Sequence, residues 1–234
     1  MSNSLIHPIT AQSFATIDRE IGGHAFNPFE YAIVQRVIHS TADFEFKHLV
    51  KFSQGAIAAG IKAIQQGKAI VTDVGMVKQG IVGMAAQTFK NQIISALDFA
   101  APISNPDASA KNQLTRSEIG MCHCMTEFPD AIFVVGNAPT ALLALCESSS
   151  KPNFAPNLPN STDIASFEAK NFQPSLIVGA PVGFVAVLES KAALEKSGFP
   201  QIRVEGRKGG SPVAAAIANA LLLLAWTEVQ EDNG

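Results

Sequence analysis

The stretch AIFVVGNAPTALLALCE, residues 131–147, has the pattern of a buried strand followed by a helix. Its first residues are almost all apolar, which indicates a strand covered on both faces, as in a parallel sheet. Asn137 and Pro139 then mark a tight turn, and a helix is predicted over 138–147. Asn137 therefore falls at the carboxyl end of a strand, where open parallel sheets bind ligands, although ordinary turn chemistry explains it equally well.

The same strand-and-helix unit recurs along most of the chain. The other predicted strands are 69–74, 92–97, 175–180 and 201–206. The other helices predicted in this part are 76–84, 106–125, 183–196 and 211–227. This alternation predicts an α/β sandwich with a mainly parallel five-stranded sheet.

The first 67 residues indicate a helical lead-in that packs on the sheet. In NPFE (27–30), Asn27 is a predicted N-cap, with Pro28 in the first turn and Glu30 at the third position. Ser53 is the predicted N-cap of a second helix that stops at Gly67. We expect one domain over 1–234.

The segment 148–175 differs from the rest, with four prolines and many Ser and Asn residues. It predicts a long surface loop or flexible insertion, with a short helix near 162–170.

Composition excludes several classes of protein. The 234 residues carry a net charge of −3, which argues against sequence-independent binding of nucleic acid. Three cysteines are an odd number and suit a reducing cytosol. The N-terminus lacks the pattern of a signal peptide, and the apolar run from Pro212 is short for a membrane span, so a cytoplasmic protein with no membrane is expected. Cys122, His123 and Cys124 lack a second pair of ligands, so no metal site is predicted.

His39, in RVIHSTAD (36–43), falls in the last turn of the first predicted helix. The helix macrodipole favours a cation there, which would make the imidazolium a competent acid. Arg36 shares the face of His39 and opposes its protonation unless an anion lies between them. The alternative is a histidine that only caps the helix.

GRKGGS (206–211) opens the last apolar helix. Ser211 can cap this helix, free N–H groups at its start can hold an anion, and Gly209 and Gly210 allow close approach. Arg207 and Lys208 add positive charge. The alternative is a solvated turn. Neither a Walker loop nor a GxGxxG fingerprint is present.

Seven ordered blocks of the sequence resemble the precorrin-8X methylmutases of corrin-ring biosynthesis, over roughly residues 8–222. The blocks are RVIHSTADFEF, FSQGAIAAGI, VTDVGMVKQGI, TRSEIGM, VVGNAPTALL, LIVGAPVGFVAVLESK and RVEGRKGGSPVAAAIANAL.

The resemblance implies a three-layer α/β/α sandwich, a homodimer and no cofactor. It implies an isomerase that moves a methyl group from ring carbon 11 to ring carbon 12 of precorrin-8X or cobalt-precorrin-8, giving hydrogenobyrinate or cobyrinate. Neighbouring corrin-pathway enzymes are possible partners. Whether the substrate contains cobalt stays open, as does the alternative of a tetrapyrrole carrier or sensor without catalysis.

Residue roles follow from the same resemblance. His39 matches the family's proton donor or acceptor, and Ser13 in ITAQSFATI matches a substrate contact. The carboxylate arms of the substrate would be anchored by basic residues and by the start of the last helix, namely Arg36, Arg116, Arg207, Lys208 and Gly209–Ser211. Arg116 read alone is an ordinary solvated helix residue.

Two positions depart from the family pattern. Gly75 stands where a larger side chain is expected, which would alter one wall of the pocket. Glu118 stands where small residues are common, and we expect it to point away from an acidic substrate.

Overall fold

In the computed structural model of the chain, which describes residues 5–100, 114–150 and 172–232, six short strands form one sheet. The strands are β1 Val50–Phe52, β2 Ile70–Thr72, β3 Ile93–Ser95, β4 Ile132–Val135, β5 Leu176–Gly179 and β6 Gln201–Val204. All five predicted strands are confirmed. Each is shorter than its apolar run, because the ends of the run enter turns or the following helix.

The strand order in the sheet is β1-β6-β5-β4-β2-β3. Strands β2 to β6 are parallel, and β1 is antiparallel to β6, with Val50 opposite Val204. The mainly parallel sheet is therefore confirmed, but the prediction of five strands is wrong by one. Three residues are too few to show an alternating pattern, so only pairing with β6 identifies β1.

Helices occupy both the lead-in and the connections between strands. They are α1 Pro8–Glu20, α2 Pro28–Thr41, α3 Phe46–Leu49, α4 Ala56–Gln65, α5 Gly75–Gln87, α6 Arg116–Glu127, α7 Pro139–Ser150, α8 Val187–Lys196 and α9 Ser211–Asp232, with a 3-10 turn at Ala96–Phe99. The predicted loop 148–175, its short helix near 162–170 and the predicted helical residues 106–113 lie largely or wholly outside the described residues.

The predicted helix starts have mixed outcomes. The Asn27 side chain accepts hydrogen bonds from the N–H groups of Phe29 and Glu30, and the Glu30 carboxylate accepts one from the Asn27 N–H, so this capping box is confirmed. The Ser53 cap is wrong. Gly55 precedes α4, while the Ser53 hydroxyl accepts the Gln201 N–H at 2.9 Å.

Alternate residues of the central strands face two separate cores. Ile132 and Val134 pack with α2, α4, α5 and α9, whereas Phe133 and Val135 pack with α6, α7 and α8. The strands are apolar almost throughout because both faces of the sheet are covered. This arrangement confirms three layers, with helices on each side of the sheet.

Helix α9 is long and apolar enough to span a membrane by length and composition, which differs from the expectation that its apolar run is short. However, its residues 213–218 are buried, and it packs against α2, α4 and α5. It is a core helix, as the sequence indicated.

The chain reverses direction across the sheet between β2 and β4. From β4 the later strands continue to one side, while β2 and β3 lie on the other. Open α/β sheets bind ligands in the crevice beyond the carboxyl ends of strands at such a point. Asp73 directly follows β2, and Asn137 is the second residue after β4, so both lie at this crevice.

Candidate functional site

His39 is exposed in the last turn of α2, and two contacts from α1 fix its ring. Its Nδ1 lies 2.8 Å from Ser13 Oγ in a hydrogen bond. The Phe14 ring packs edge-on, with 5.3 Å between the ring centroids. Within the described residues nothing hydrogen-bonds to Nε2, so that nitrogen is available to a ligand.

His39 is exposed as a whole residue, but its ring is partly desolvated. This partial desolvation is the first cause that lowers the pKa of His39 from its usual value, and the charge of Arg36 is the second. The helix macrodipole favours a cation at this position, whereas desolvation and Arg36 oppose one, as the shared helix face of Arg36 and His39 predicted. The lowered pKa favours the neutral imidazole in the free protein. A bound anion would raise its pKa and so allow it to take up a proton.

Arg36 is a partly buried cation on the same face of α2 as His39. Among residues 5–100, 114–150 and 172–232 it has no hydrogen-bond or ion-pair partner, and burial lowers its pKa. A cation removed from water without a counter-charge is unfavourable. The place beside Arg36 and His39 is thus suited to an anionic group of a ligand.

We expect Arg36→Met to raise the pKa of His39, because it removes the second cause of the lowering and leaves the first, burial. An NMR pH titration of the His39 ring protons measures this pKa. The matched control is Lys62→Met, which removes an exposed cation from the last turn of α4. An unchanged His39 pKa in Arg36→Met would contradict the coupling between the two residues.

The loop that contains GRKGGS is attached to the end of α2 by ion pairs. Lys208 Nζ lies 2.6 Å from Asp43 Oδ2 and 2.6 Å from Glu45 Oε2. Lys208 lowers the pKa of Asp43, chiefly through their hydrogen bond. The structure therefore brings the loop near His39, but the charge of Lys208 is already offset by two carboxylates.

Backbone contacts, rather than a ligand, explain the two glycines of this loop. The Gly210 N–H donates to the Ala180 carbonyl at 2.8 Å, so this group is not one of the N–H groups that could hold an anion at the start of α9. Gly209 has φ 152°, and a Cβ there would lie 2.3 Å from the Ala180 oxygen. Helix α9 begins at Ser211, and the Gly210 carbonyl accepts the Ala214 N–H, so the predicted Ser211 cap is wrong by one residue.

An exposed apolar surface adjoins Arg207. The guanidinium lies 6.0 Å from the centroid of the Phe184 ring. Phe184 and Val185 are 88% and 84% exposed. The Gly183 N–H donates to the Arg207 carbonyl at 3.3 Å and joins the loop after β5 to the loop after β6. This surface offers apolar contact beside a positive charge.

Arg116 and Asn137 lie at the starts of two helices, α6 and α7, that contact each other. Arg116 is the exposed first residue of α6, and Thr115 before it bonds to Thr140 at the start of α7, with 2.7 Å between the hydroxyl oxygens. Asn137 is exposed just before α7. Glu118 bends back to accept the Thr115 N–H at 3.2 Å, and burial raises its pKa.

A buried carboxylate that the sequence reading missed holds the turn at Asn137. Asp73 is 0% exposed and accepts the N–H groups of Gly136, Asn137 and Ala138 at 3.1, 2.7 and 2.7 Å. Burial raises its pKa, and these hydrogen bonds oppose the rise. A Cβ at Gly136 would lie 2.9 Å from Ser211 Cα, so this turn also adjoins the start of α9. The available signal was one acid at the end of an apolar strand.

The remaining sequence candidates lie around this edge or in the core. Gly75 begins α5 two residues after Asp73, and a Cβ there would meet no atom within 4 Å, so the space beside it is open. Cys122 and Cys124 are buried, while His123 stacks on Phe99 with 4.7 Å between ring centroids.

Comparisons with known proteins agree on one family. The family model described as precorrin-8X methylmutase matches residues 8–158 and 163–224. The chain is 50% identical to the cobalt-precorrin-8 methylmutase of Synechocystis sp., covering 96% of this chain and 98% of that protein. It is 40% identical to the cobalt-precorrin-8 methylmutase of Priestia megaterium, covering 93% and 87%.

A solved structure and a longer relative add to this. The precorrin-8X methylmutase structure from Thermus thermophilus aligns with a TM-score of 0.76 at 39% identity, covering 95% of this chain and 99% of that one. The cobalamin biosynthesis protein CbiHC of Archaeoglobus fulgidus is 30% identical over 81% of this chain, which spans 34% of that protein. The extent of these matches, together with the fold and the His39 site, shows that the chain belongs to the precorrin-8X methylmutase family.

Proposed function

We propose that this chain moves a methyl group from ring carbon 11 to ring carbon 12 of cobalt-precorrin-8, with His39 as the group that exchanges a proton with the macrocycle. The single observation that carries the proposal is the Ser13–His39 pair beside Arg36, a cation with no ion-pair partner among the described residues. The names of the relatives in Synechocystis sp. and Priestia megaterium support the cobalt form of the substrate. The cobalt belongs to the substrate.

The reaction is an isomerisation, so atoms and electrons balance within the substrate. One carbon–methyl bond breaks at carbon 11 and one forms at carbon 12. His39 takes up a proton from solvent when the anionic substrate binds and donates it to the macrocycle as the methyl group migrates. The macrocycle returns a proton to His39 as the product forms, so no proton is gained or lost over the reaction. The Ser13 hydroxyl orients the imidazole ring of His39. It donates a hydrogen bond to Nδ1 or accepts one from it, depending on the tautomer of His39.

Substrate carboxylates are proposed to bind around this acid. In the part of the chain that the structure describes, Arg36 has no counter-charge. Arg207 adjoins the exposed apolar surface of Phe184, which suits an apolar macrocycle with acidic arms. The other proposed contacts are Ser13, Arg116, Asn137, Lys208, Gly209, Gly210 and Ser211. Of these, Gly209 and Gly210 contribute through the shape of the loop, since the Gly210 N–H is already bonded.

We expect Arg116→Ala to weaken binding of the corrinoid and to reduce the salt dependence of its affinity, because an ion pair with a substrate carboxylate is lost. Lys208→Ala should have a smaller effect, because Asp43 and Glu45 already offset that charge. Absorbance titrations at several salt concentrations measure both quantities.

The control for this pair is Lys62→Ala, at the end of the sheet opposite to the proposed site, since α4 precedes the amino end of β2. It should bind like the wild type. An Arg116→Ala protein with unchanged affinity and an unchanged salt slope would remove Arg116 from the anchor.

The experiment that tests the substrate is a parallel incubation of the purified protein with precorrin-8X and with cobalt-precorrin-8, followed by visible spectroscopy. We expect faster conversion of the cobalt form. Faster conversion of the metal-free form would assign the chain to the metal-free reaction instead. Binding of both without conversion would favour a carrier over an enzyme.

The oligomeric state, the cellular location and a partner enzyme are part of the same proposal. We propose a single-domain homodimer that acts in the cytoplasm, which Cys122 and Cys124, two buried thiols outside any disulfide, suit. A neighbouring corrin-pathway enzyme is a proposed partner, because the chain matches a third of the longer cobalamin biosynthesis protein of Archaeoglobus fulgidus.

A further inference from the structure

A buried ammonium group lies behind the loop at 206–211. Lys191, on α8, is 4% exposed. Its Nζ donates to the Gly206 carbonyl at 2.7 Å and to the Lys208 carbonyl at 2.8 Å. These two carbonyls bracket Arg207, so one cation fixes the backbone on both sides of that residue.

This charge is unfavourable for the free protein. No carboxylate of the described residues forms an ion pair with Lys191, and burial lowers its pKa to about 8. An apolar residue at this place would avoid the desolvation of an ammonium group. The loop itself is connected elsewhere, through Gly210 to Ala180 and through Lys208 to Asp43. Holding the loop therefore does not by itself explain why a charged residue is buried at position 191.

We propose that Lys191 is a positioning residue for carboxylate binding, which fixes the backbone on either side of Arg207 and places a fixed positive charge behind the loop. The inference rests on the proposed function of this loop as a substrate anchor. It requires no contact between Lys191 and the substrate, because an ammonium group in a poorly solvated site acts over several ångströms.

The other charged groups near this loop lie on the segment after α2, on α8 and on β6. Lys208 is paired with Asp43 and Glu45, which follow α2, and Arg203 on β6 is paired with Glu195 and Glu205. Arg207, next to both bonded carbonyls, is the charged group most directly affected by Lys191. Binding of an anion at Arg207 favours the protonated form of Lys191, which raises its pKa in the complex. Affinity should then be greatest below pH 8 and fall as the pH rises above it.

The test is Lys191→Met, with Lys196→Met as the matched control on the exposed end of the same helix. Absorbance titration with cobyrinate between pH 6 and pH 9.5 gives Kd, and steady-state assays give KM and kcat. We expect Kd and KM about tenfold higher at pH 7 in Lys191→Met, with kcat nearly unchanged, because charge-assisted hydrogen bonds are lost. The fall in affinity above pH 8 should also disappear.

Equal Kd values and equal pH profiles in Lys191→Met and the wild type would overturn the inference. If Lys191→Met does not fold, the wild-type profile decides: a constant affinity from pH 7 to pH 9.5 overturns it, and a fall above pH 8 that Lys191→Gln abolishes supports it. Failure of the proposed function looks different, because the wild type and Lys196→Met would then both fail to bind cobyrinate.

Discussion

The His39→Ala protein is expected to convert its substrate about 10²–10⁴ times more slowly than the wild type, the contribution that one general acid or base makes. The site supports this large effect, because within the described residues Nε2 of His39 has no protein partner while Nδ1 is held by Ser13. The measurement is single-turnover kinetics with enzyme in excess, so that product release does not limit the observed rate.

A binding measurement distinguishes a His39 that acts as an acid from a His39 that only contacts the substrate. His39 is exposed, so the Ala variant should fold and should bind the corrinoid within a few-fold of the wild type. The matched control is His24→Gln, which alters an exposed histidine near the start of α2, where it stacks on Tyr31. It should react at the wild-type rate. A His39→Ala protein that still turned over within threefold of the wild type would eliminate the proton-transfer role.

The Asp73→Ala protein is expected to lose about 3 kcal/mol of unfolding free energy, because two buried N–H groups and one part-buried N–H group lose their acceptor at about 1 kcal/mol or more each. Urea denaturation with a constant m-value measures this loss. The turn that carries Asn137 should also loosen, so the corrinoid affinity should fall as well.

The comparison is Asp130→Ala, which removes an exposed carboxylate that forms an ion pair with Lys68. Its loss should be about 1 kcal/mol or less, as for surface ion pairs. A free energy of unfolding for Asp73→Ala within 1 kcal/mol of the wild type would mean that other contacts hold the turn.

The layers of the fold were predictable because the residues that make a strand apolar in sequence are the same residues that pack in the two cores. In β4, Ile132 and Phe133 face opposite cores, so a continuous apolar run could only be a covered strand. The helix start at Asn27 was predictable because its capping partners lie within three residues. Strand β1 was not, because its pairing depends on β6, far along the chain.

The sequence predicted the positions of the site residues better than it predicted their electrostatics. His39 and Arg36 share a face by helical spacing, but the lowered pKa of His39 depends chiefly on burial, which spacing does not reveal. Asp73 bonds to N–H groups 63 to 65 positions away, and the Gly210 N–H bonds to Ala180 after β5. Such contacts follow from the topology of the sheet, and the local sequence does not show which groups they join.

The most direct test of the account is the fate of the methyl group. Cobalt-precorrin-8 labelled with ¹³C in the methyl group on carbon 11 would be incubated with the wild-type protein and with His39→Ala, and the product examined by NMR. We expect the label to appear on carbon 12 with the wild type and to stay on carbon 11 with bound His39→Ala. A label that stays on carbon 11 with the bound wild-type protein would contradict the proposed methyl transfer.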